Sequence, residues 1–465
     1  MASVTALSID GTDIGVKGEA VESLAGRMRG SLLRPESEGY DEARRVWNGM
    51  IDRHPALIGR CAGTADVQAC VGFAREHDLL VSVKGGSHNF AGKGVCDGAF
   101  MIDLSAMRLV HVDAGRRRAR AAGGAKWADY DTETHAYGLA STGGTVSDTG
   151  VGGLTLGGGI GWLAGSYGLA CDNLVSADVV LADGSIVAAS LTENDDLFWG
   201  LRGGSGNFGV VTSFEFELHP VDTVLAGPVF HPFADAARLL RHYCDFAADI
   251  PDGLNTGGVL LHTPDGHPVA GAVGCWNGPA DAGERVLRPL RDFGAPLVDD
   301  IGRIPYPAIQ TALDPAFLPG RRYYSKGHLI TDVTDECVAT LVDFYARTPS
   351  PANFIILQQL GNATNRVDPA ATAFSHRRSR YELVLLAGWD DAADDERNVG
   401  WVRELWDATA PFSDHALYVN SIVDDDEAVI RSAYRSETFE RLSALKARYD
   451  PTNFFRLNPN IPPAA

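Results

Sequence analysis

The sequence predicts an α+β protein built from more than one domain. Three observations lead there. The chain has 465 residues, too many for one ordinary core. Its glycine clusters fall in the stretch ahead of Pro220, where short strands and helices alternate. Beyond Pro220 the clusters stop, and amphipathic helices alternate with longer strands.

Residues 20–48 read as helical and charged. Residues 64–77 read as a helix, opened by Thr64 and an acid, Asp66, in its first turn. The strand 79–83 follows and runs into Gly85 and His88. Residues 99–112 are strand-like, 118–123 form another short strand, and 125–137 form a helix closed by Gly138. The segments 175–181 and 185–188 flank Asp183-Gly184 as a hairpin. The strand 210–218 ends at Pro220. In the second half, helices at 234–248, 281–292, 334–346 and 394–408 alternate with strands near 258–262, 268–275, 323–330, 353–360 and 380–389. Helices over one face of a mainly antiparallel sheet would fit. The expected boundaries are 1–222, 223–412, and a tail, 413–465, that reads as loop-rich over 418–462 and returns to the first domain.

Apolar content of 45% and charged content of 22% suit a globular protein. The net charge of −20 repels nucleic acid and anionic membranes, so neither is an expected partner. The first ten residues lack a basic region and a long apolar core, and no apolar run reaches membrane-spanning length. Seven scattered cysteines without a C-x-x-C pattern predict neither a disulfide scaffold nor a metal site, and point to a reducing cytoplasm.

Three glycine clusters carry the functional signal. Gly204-Ser205-Gly206-Asn207-Phe208-Gly209 matches G-x-G-x-x-G, but a nicotinamide fingerprint must open a helix. Here residues 210–218 alternate as a strand, which removes that context. Glycines at this density instead let backbone N–H groups approach a pyrophosphate closely.

Lys84-Gly85-Gly86-Ser87-His88-Asn89, the run from Gly150 to Gly161, Trp199-Gly200-Leu201-Arg202-Gly203-Gly204 with the cluster after it, and Tyr449-Asp450-Pro451-Thr452-Asn453-Phe454 in the tail occur in this order. Together they resemble the berberine bridge enzyme-like oxidases, with the bacterial 6-hydroxy-D-nicotine-oxidase branch nearest in flavour. The resemblance spans nearly the whole chain. It implies a PCMH-type FAD-binding domain of two α+β subdomains and a substrate domain. It also implies that FAD is bound through Gly85, Gly86, Ser87, His88, Asn89, Gly144, Thr145, Ser147, Thr149, Gly153, Gly158, Gly159, Gly161, Gly206, Gly209, Val210 and Asn420. His88 falls where relatives bond the flavin covalently, a sensible task for a neutral imidazole nucleophile. Val146 stands where doubly linked relatives carry a cysteine, and Leu154 where they carry a histidine, so a single link through His88 and a smaller substrate are implied. Gly144 would leave oxygen access open.

The resemblance further implies hydride transfer from an amine, alcohol or secondary metabolite to FAD, then to O2 with release of H2O2. Alternatives are a redox-neutral or oxygenating flavoenzyme of natural-product assembly, or a non-catalytic flavoprotein. The base in relatives is often a tyrosine in Tyr-x-Asn-Tyr; this chain reads Tyr418-Val419-Asn420-Ser421, leaving Tyr418 as the candidate. Period two in the strand 323–330 puts Tyr324, Lys326 and His328 on one face, where Tyr324 and Lys326 could serve catalysis. A small substrate and O2 are the expected partners, in a monomer or homodimer.

Overall fold

The computed structural model describes residues 3–423 and 426–464. Strands Leu57–Arg60, Phe100–Asp103 and Val81–Lys84 run parallel, and Ser31–Leu33 adds an antiparallel edge. The helix Thr64–Glu76 leads from Leu57–Arg60 to Val81–Lys84 and buries Val67, Cys70, Val71 and Phe73 on one face. Asp66 does not cap this helix. Its carboxylate accepts the backbone N–H groups of Arg29, Gly30 and Ala62 at 2.8–2.9 Å.

A second, antiparallel sheet has the order Ile186–Ser190, Leu174–Val180, Val210–Glu217, Arg118–Ala122, Val110–Asp113. The Asp183-Gly184 hairpin is the pairing of its first two strands. The G-x-G-x-x-G segment enters the strand Val210–Glu217, as its alternation dictates.

The third sheet has eight strands, all antiparallel. Its path runs Val298–Asp299, Thr223–Pro232, Pro268–Trp276, Leu254–His262, Phe354–Gln359, Tyr381–Trp389, Arg322–Ile330, with Gly302–Pro305 also on Thr223–Pro232. Helices Ala236–Ala247, Ala280–Arg291, Asp335–Ala346 and Asp395–Thr409 share a core with one face, through residues such as Leu240, Leu287, Leu341 and Leu405. The other face presents Ser325, Ile356, Gln358, Glu382, Val384 and Leu386 to a cleft.

The tail closes on the glycine-rich half. Helix Ser436–Tyr449 lays Leu445 against Gly200 and Leu442 against Gly204, where a Cβ would stand 2.3 and 2.8 Å from those side chains. Lys446 and Asp450 are fully buried and paired at 2.6 Å. The lysine also donates to the carbonyls of Asn207 and Phe455, and the carboxylate accepts the Phe454 and Phe455 N–H groups. No helix among the described residues is long and apolar enough to cross a membrane.

The elements depart from expectation in several places, among them the tail, expected to be loop-rich, which forms the helix Ser436–Tyr449. Residues 20–48 hold two helices, Gly18–Arg27 and Tyr40–Arg44, separated by the strand Ser31–Leu33. The stretch 99–112 is two strands that belong to different sheets. The strand Thr223–Pro232 escapes sequence reading because Gly227, Pro228 and Pro232 read as breakers.

Candidate active site

The first two glycine clusters meet in space. A Cβ on Gly86 would lie 2.3 Å from the Gly150 Cα, and one on Gly150 2.6 Å from the Gly86 nitrogen. Only glycine at both positions permits this crossing. Ser87, the next residue, holds a left-handed φ of 60°, and Ser205 in the third cluster one of 61°. The loops form one wall of a cleft of about 380 Å³; the eight-stranded sheet forms the other.

His88 stands at the junction of the two walls. Its ring stacks on Trp47, centroids 4.3 Å apart, and Trp47 stacks on Tyr323 of the sheet at 4.0 Å. Its Nε2 is buried without a hydrogen-bond partner, 3.6 Å from the Asp148 carboxylate. Burial lowers the His88 pKa against the pull of Asp148, so the imidazole is neutral. Burial alone would raise the Asp148 carboxyl, but His88 and Lys126 outweigh it and hold it below its ordinary value. Lys126 is ion-paired to Asp148.

The facing sheet contributes a mostly apolar surface with one polar end. Register pairs Gln358 with Glu382, and Ile356 with Val384. Glu382 accepts the Ser421 hydroxyl at 2.7 Å. Burial pushes its carboxyl up to about 7, with the Ser421 bond opposing. Tyr418 lies beside it. The phenol oxygen accepts the Gly159 N–H at 2.8 Å and the Asn420 amide at 2.7 Å, while the same amide donates to the Leu154 carbonyl. Burial, with the nearby Glu382, raises the Tyr418 pKa further from neutrality.

Comparison with known proteins gives this arrangement its family. Residues 55–190 match the FAD binding domain family, and residues 417–462 the berberine and berberine-like family. An FAD-linked oxidoreductase of Dictyostelium discoideum is 32% identical over 450 residues, covering 96% of this chain and 97% of its own. The (R)-6-hydroxynicotine oxidase of Paenarthrobacter nicotinovorans is 31% identical, covering 94% and 97%. The chain belongs to the berberine bridge enzyme-like FAD-linked oxidoreductases. Among solved structures, 6-hydroxy-D-nicotine oxidase from Arthrobacter nicotinovorans superposes with a TM-score of 0.87 at 29% identity, covering 94% of this chain and 98% of its own. Physcomitrella patens BBE-like 1, at 20% identity, shares the fold with a TM-score of 0.86, covering 95% and 99%.

The cleft suits the cofactor of this FAD-linked family. The Gly86–Gly150 crossing brings bare backbone to its surface, and a buried polar atom on its rim, Asn458 Oδ1, has no protein partner. Gly85, Gly86, Ser87, His88, Asn89, Thr145, Thr149, Gly153, Gly206, Gly209, Val210, Tyr418 and Asn420 all line it.

Other expected residues stand elsewhere, and these are corrections. Ser147 spends its N–H and hydroxyl on Asp314, at 3.0 and 2.6 Å, outside the cleft. Gly144 stands behind Leu154, whose methyl would meet a Cβ there at 3.1 Å, and does not line the cleft. Gly158, Gly159 and Gly161 back the wall: the first packs on Phe374, the second bonds Tyr418, and the third abuts the Gly143 carbonyl. Tyr324 and Lys326 do share a face, as period two requires, but it is the helix-covered one. The Tyr324 hydroxyl meets Arg403 at 3.4 Å, and Lys326 lies 4.0 Å over the Trp406 ring, so neither reaches the cleft. Tyr418 is in place but is a poor base, because burial and the neighbouring Glu382 keep its phenol protonated against the two hydrogen bonds its oxygen accepts.

Sequence reading missed Glu382, Trp47 and Asp148. Glu382 carried a signal: it is the one charge in the otherwise apolar strand Tyr381–Trp389.

Proposed function

We propose that this protein is an FAD-dependent oxidase of small, largely apolar amines or alcohols, with its flavin held singly through His88 and with Glu382 as proton acceptor. The observation that carries the reading is the buried Glu382 carboxyl on the sheet wall, facing the glycine loops across the cleft. Residues 1–222 and the tail 413–465 would hold FAD, and 223–412 would supply the substrate wall.

FAD, when bound, supplies the hydride acceptor. The chain supplies the rest. Ile356, Val384 and Leu386 offer an apolar surface to a flat molecule, and Gln358 and Glu382 mark where its polar group belongs. An oligosaccharide would leave its hydroxyls unpaired against such a wall. Glu382 takes the proton from the N–H or O–H being oxidised, and a carboxyl that titrates near neutrality suits that exchange. Ser421, where relatives often carry a tyrosine, becomes the residue that orients this carboxylate. Tyr418 holds Gly159 and Asn420 in position and excludes water.

Val146 lines the cleft where a cysteine would make a second link, which supports attachment through His88 alone. A glucooligosaccharide oxidase of the same fold is described with a 6-S-cysteinyl, 8α-N1-histidyl FAD. All seven cysteines are free thiols, which fits a reducing compartment such as the cytoplasm.

The test is an anaerobic panel of cyclic amines, benzylic alcohols, phenols and oligosaccharides, read as bleaching of the flavin band. On admitting air, the colour should return with one H2O2 per substrate oxidised. Bleaching by oligosaccharides alone would overturn the substrate class, and turnover without peroxide would overturn the oxidase reading.

A further inference from the structure

We propose that Asp148, braced by Lys126, is a positioning residue for covalent flavin attachment: it takes the Nε2–H of His88, so that the flavin bonds to Nδ1. The inference rests on the attachment through His88 proposed above and assigns what prepares that histidine.

The geometry separates the two ring nitrogens. His88 lines the cleft, whereas Asp148 stands behind the wall between the lining residues Val146 and Thr149. Nε2 is sealed from solvent and bonded to nothing, and the Asp148 Oδ2 stands 3.6 Å from it. That distance is just beyond a hydrogen bond and closes with a small shift of either side chain. The stack on Trp47, with the ring planes 24° apart, limits the imidazole to movement within its plane.

A neutral imidazole carries one N–H, and the nitrogen facing a carboxylate is the one that keeps it. The lone pair is then on Nδ1. Lys126 serves the pair by holding Asp148 ionised, so the carboxylate remains an acceptor despite its burial.

A proton leaves the flavin C8 methyl, a bond forms between Nδ1 and that carbon, and the electron pair from the broken C–H bond stays in the ring system, which is thereby reduced. The imidazole becomes cationic as the bond forms, its Nε2–H bonded to the Asp148 carboxylate, and that proton is then released to solvent. Molecular oxygen then accepts two electrons and two protons and leaves as H2O2. The carboxylate faces the charge that develops on the ring, an arrangement that speeds a step through electrostatic complementarity.

The experiment compares wild type, Asp148→Asn, Asp148→Glu and Lys126→Met, each purified with its flavin. Total FAD is read from absorbance, and attached FAD from the colour retained in acid-precipitated protein. NMR of the proteolytic flavin peptide identifies the substituted nitrogen. Wild type should be linked at Nδ1. Asp148→Asn should bind FAD in full yet attach it about tenfold or more slowly, and Asp148→Glu should recover much of the rate. Lys126→Met should fall between. Attachment at the wild-type rate in Asp148→Asn, or a bond at Nε2, would overturn the proposal. If Asp148→Asn fails to bind FAD, Asp148→Glu and Lys126→Met decide, and attachment at the wild-type rate in Lys126→Met together with loss of attachment in Asp148→Glu would overturn the proposal. A wild-type protein without attached flavin would remove the His88 reading itself, an outcome distinct from the others.

Discussion

Glu382 concentrates the chemistry in one side chain. Its carboxyl is buried, bonded to the Ser421 hydroxyl, and raised to about 7 by loss of solvent. As a base it works only when ionised, so the rate of flavin reduction at low substrate should rise with pH through about 7. Glu382→Gln should lower that rate by about 100-fold or more and flatten the profile; an unchanged profile would remove Glu382 from the mechanism. Because the Ser421 bond lowers the carboxyl's pKa, Ser421→Ala should move the inflection to higher pH. Stability is linked to the same group. The folded chain keeps the Glu382 proton up to about 7, whereas the unfolded chain releases it near 4.5. Stability therefore falls as pH rises through that window, by about 3 kcal/mol in all, and Glu382→Gln should show less of this fall in urea titrations at pH 5 and 8. This residue was legible in part. A lone charge among Leu383, Val384, Leu385 and Leu386 must be solvated or paired, but only the register with Gln358 shows which side of the sheet it faces. Lys326 was misread for the converse reason: period two groups residues by face without saying which face meets the cleft.

At the scale of elements, two buried ion pairs tie distant segments to the flavin-binding half. Lys446 and Asp450 fasten the last helix and the segment after it to Asn207 of the third glycine cluster. Lys446→Met leaves Asp450 buried without its counter-charge and should cost about 3–5 kcal/mol. It should also weaken retention of unattached FAD in a His88→Ala background, because the Asn207 loop borders the cleft. Arg377 is fully buried and makes a two-pronged bond to Asp172 at 2.7 and 2.8 Å, joining the loop after residue 366 to the glycine-rich segment. Arg377→Ala should be as damaging in thermal unfolding. Strand and helix periodicities announced most elements of the eight-stranded sheet and its helices, but neither the last helix, Ser436–Tyr449, nor what ties these segments together. A buried Lys–Asp pair four residues apart on a helix looks the same in sequence as a solvated one. The third cluster shows a similar ambiguity: Gly200 and Gly204 make room for Leu445 and Leu442, while Gly206 borders the cleft.

The molecule as a whole sets a glycine-rich wall against a sheet wall, with a histidine at their junction. The first wall was legible because three glycine clusters, the first ending at His88, lie within one stretch of chain. The cleft was not, because it forms where residues some 300 positions apart in the chain meet, as His88 and Glu382 do. Gly86→Ala tests the wall as a unit. Its methyl would press on Gly150, so the purified protein should hold much less FAD than wild type at matched purity, while far-UV circular dichroism stays close to wild type. The central claim, that this cleft holds FAD tethered through one histidine, is tested most directly by mass spectrometry of the tryptic peptide 85–93, cut after Lys84 and Lys93. That peptide should carry one FAD, attached at His88, and no other peptide should carry one. The unmodified peptide in full yield, or FAD found on a different peptide, would contradict the account.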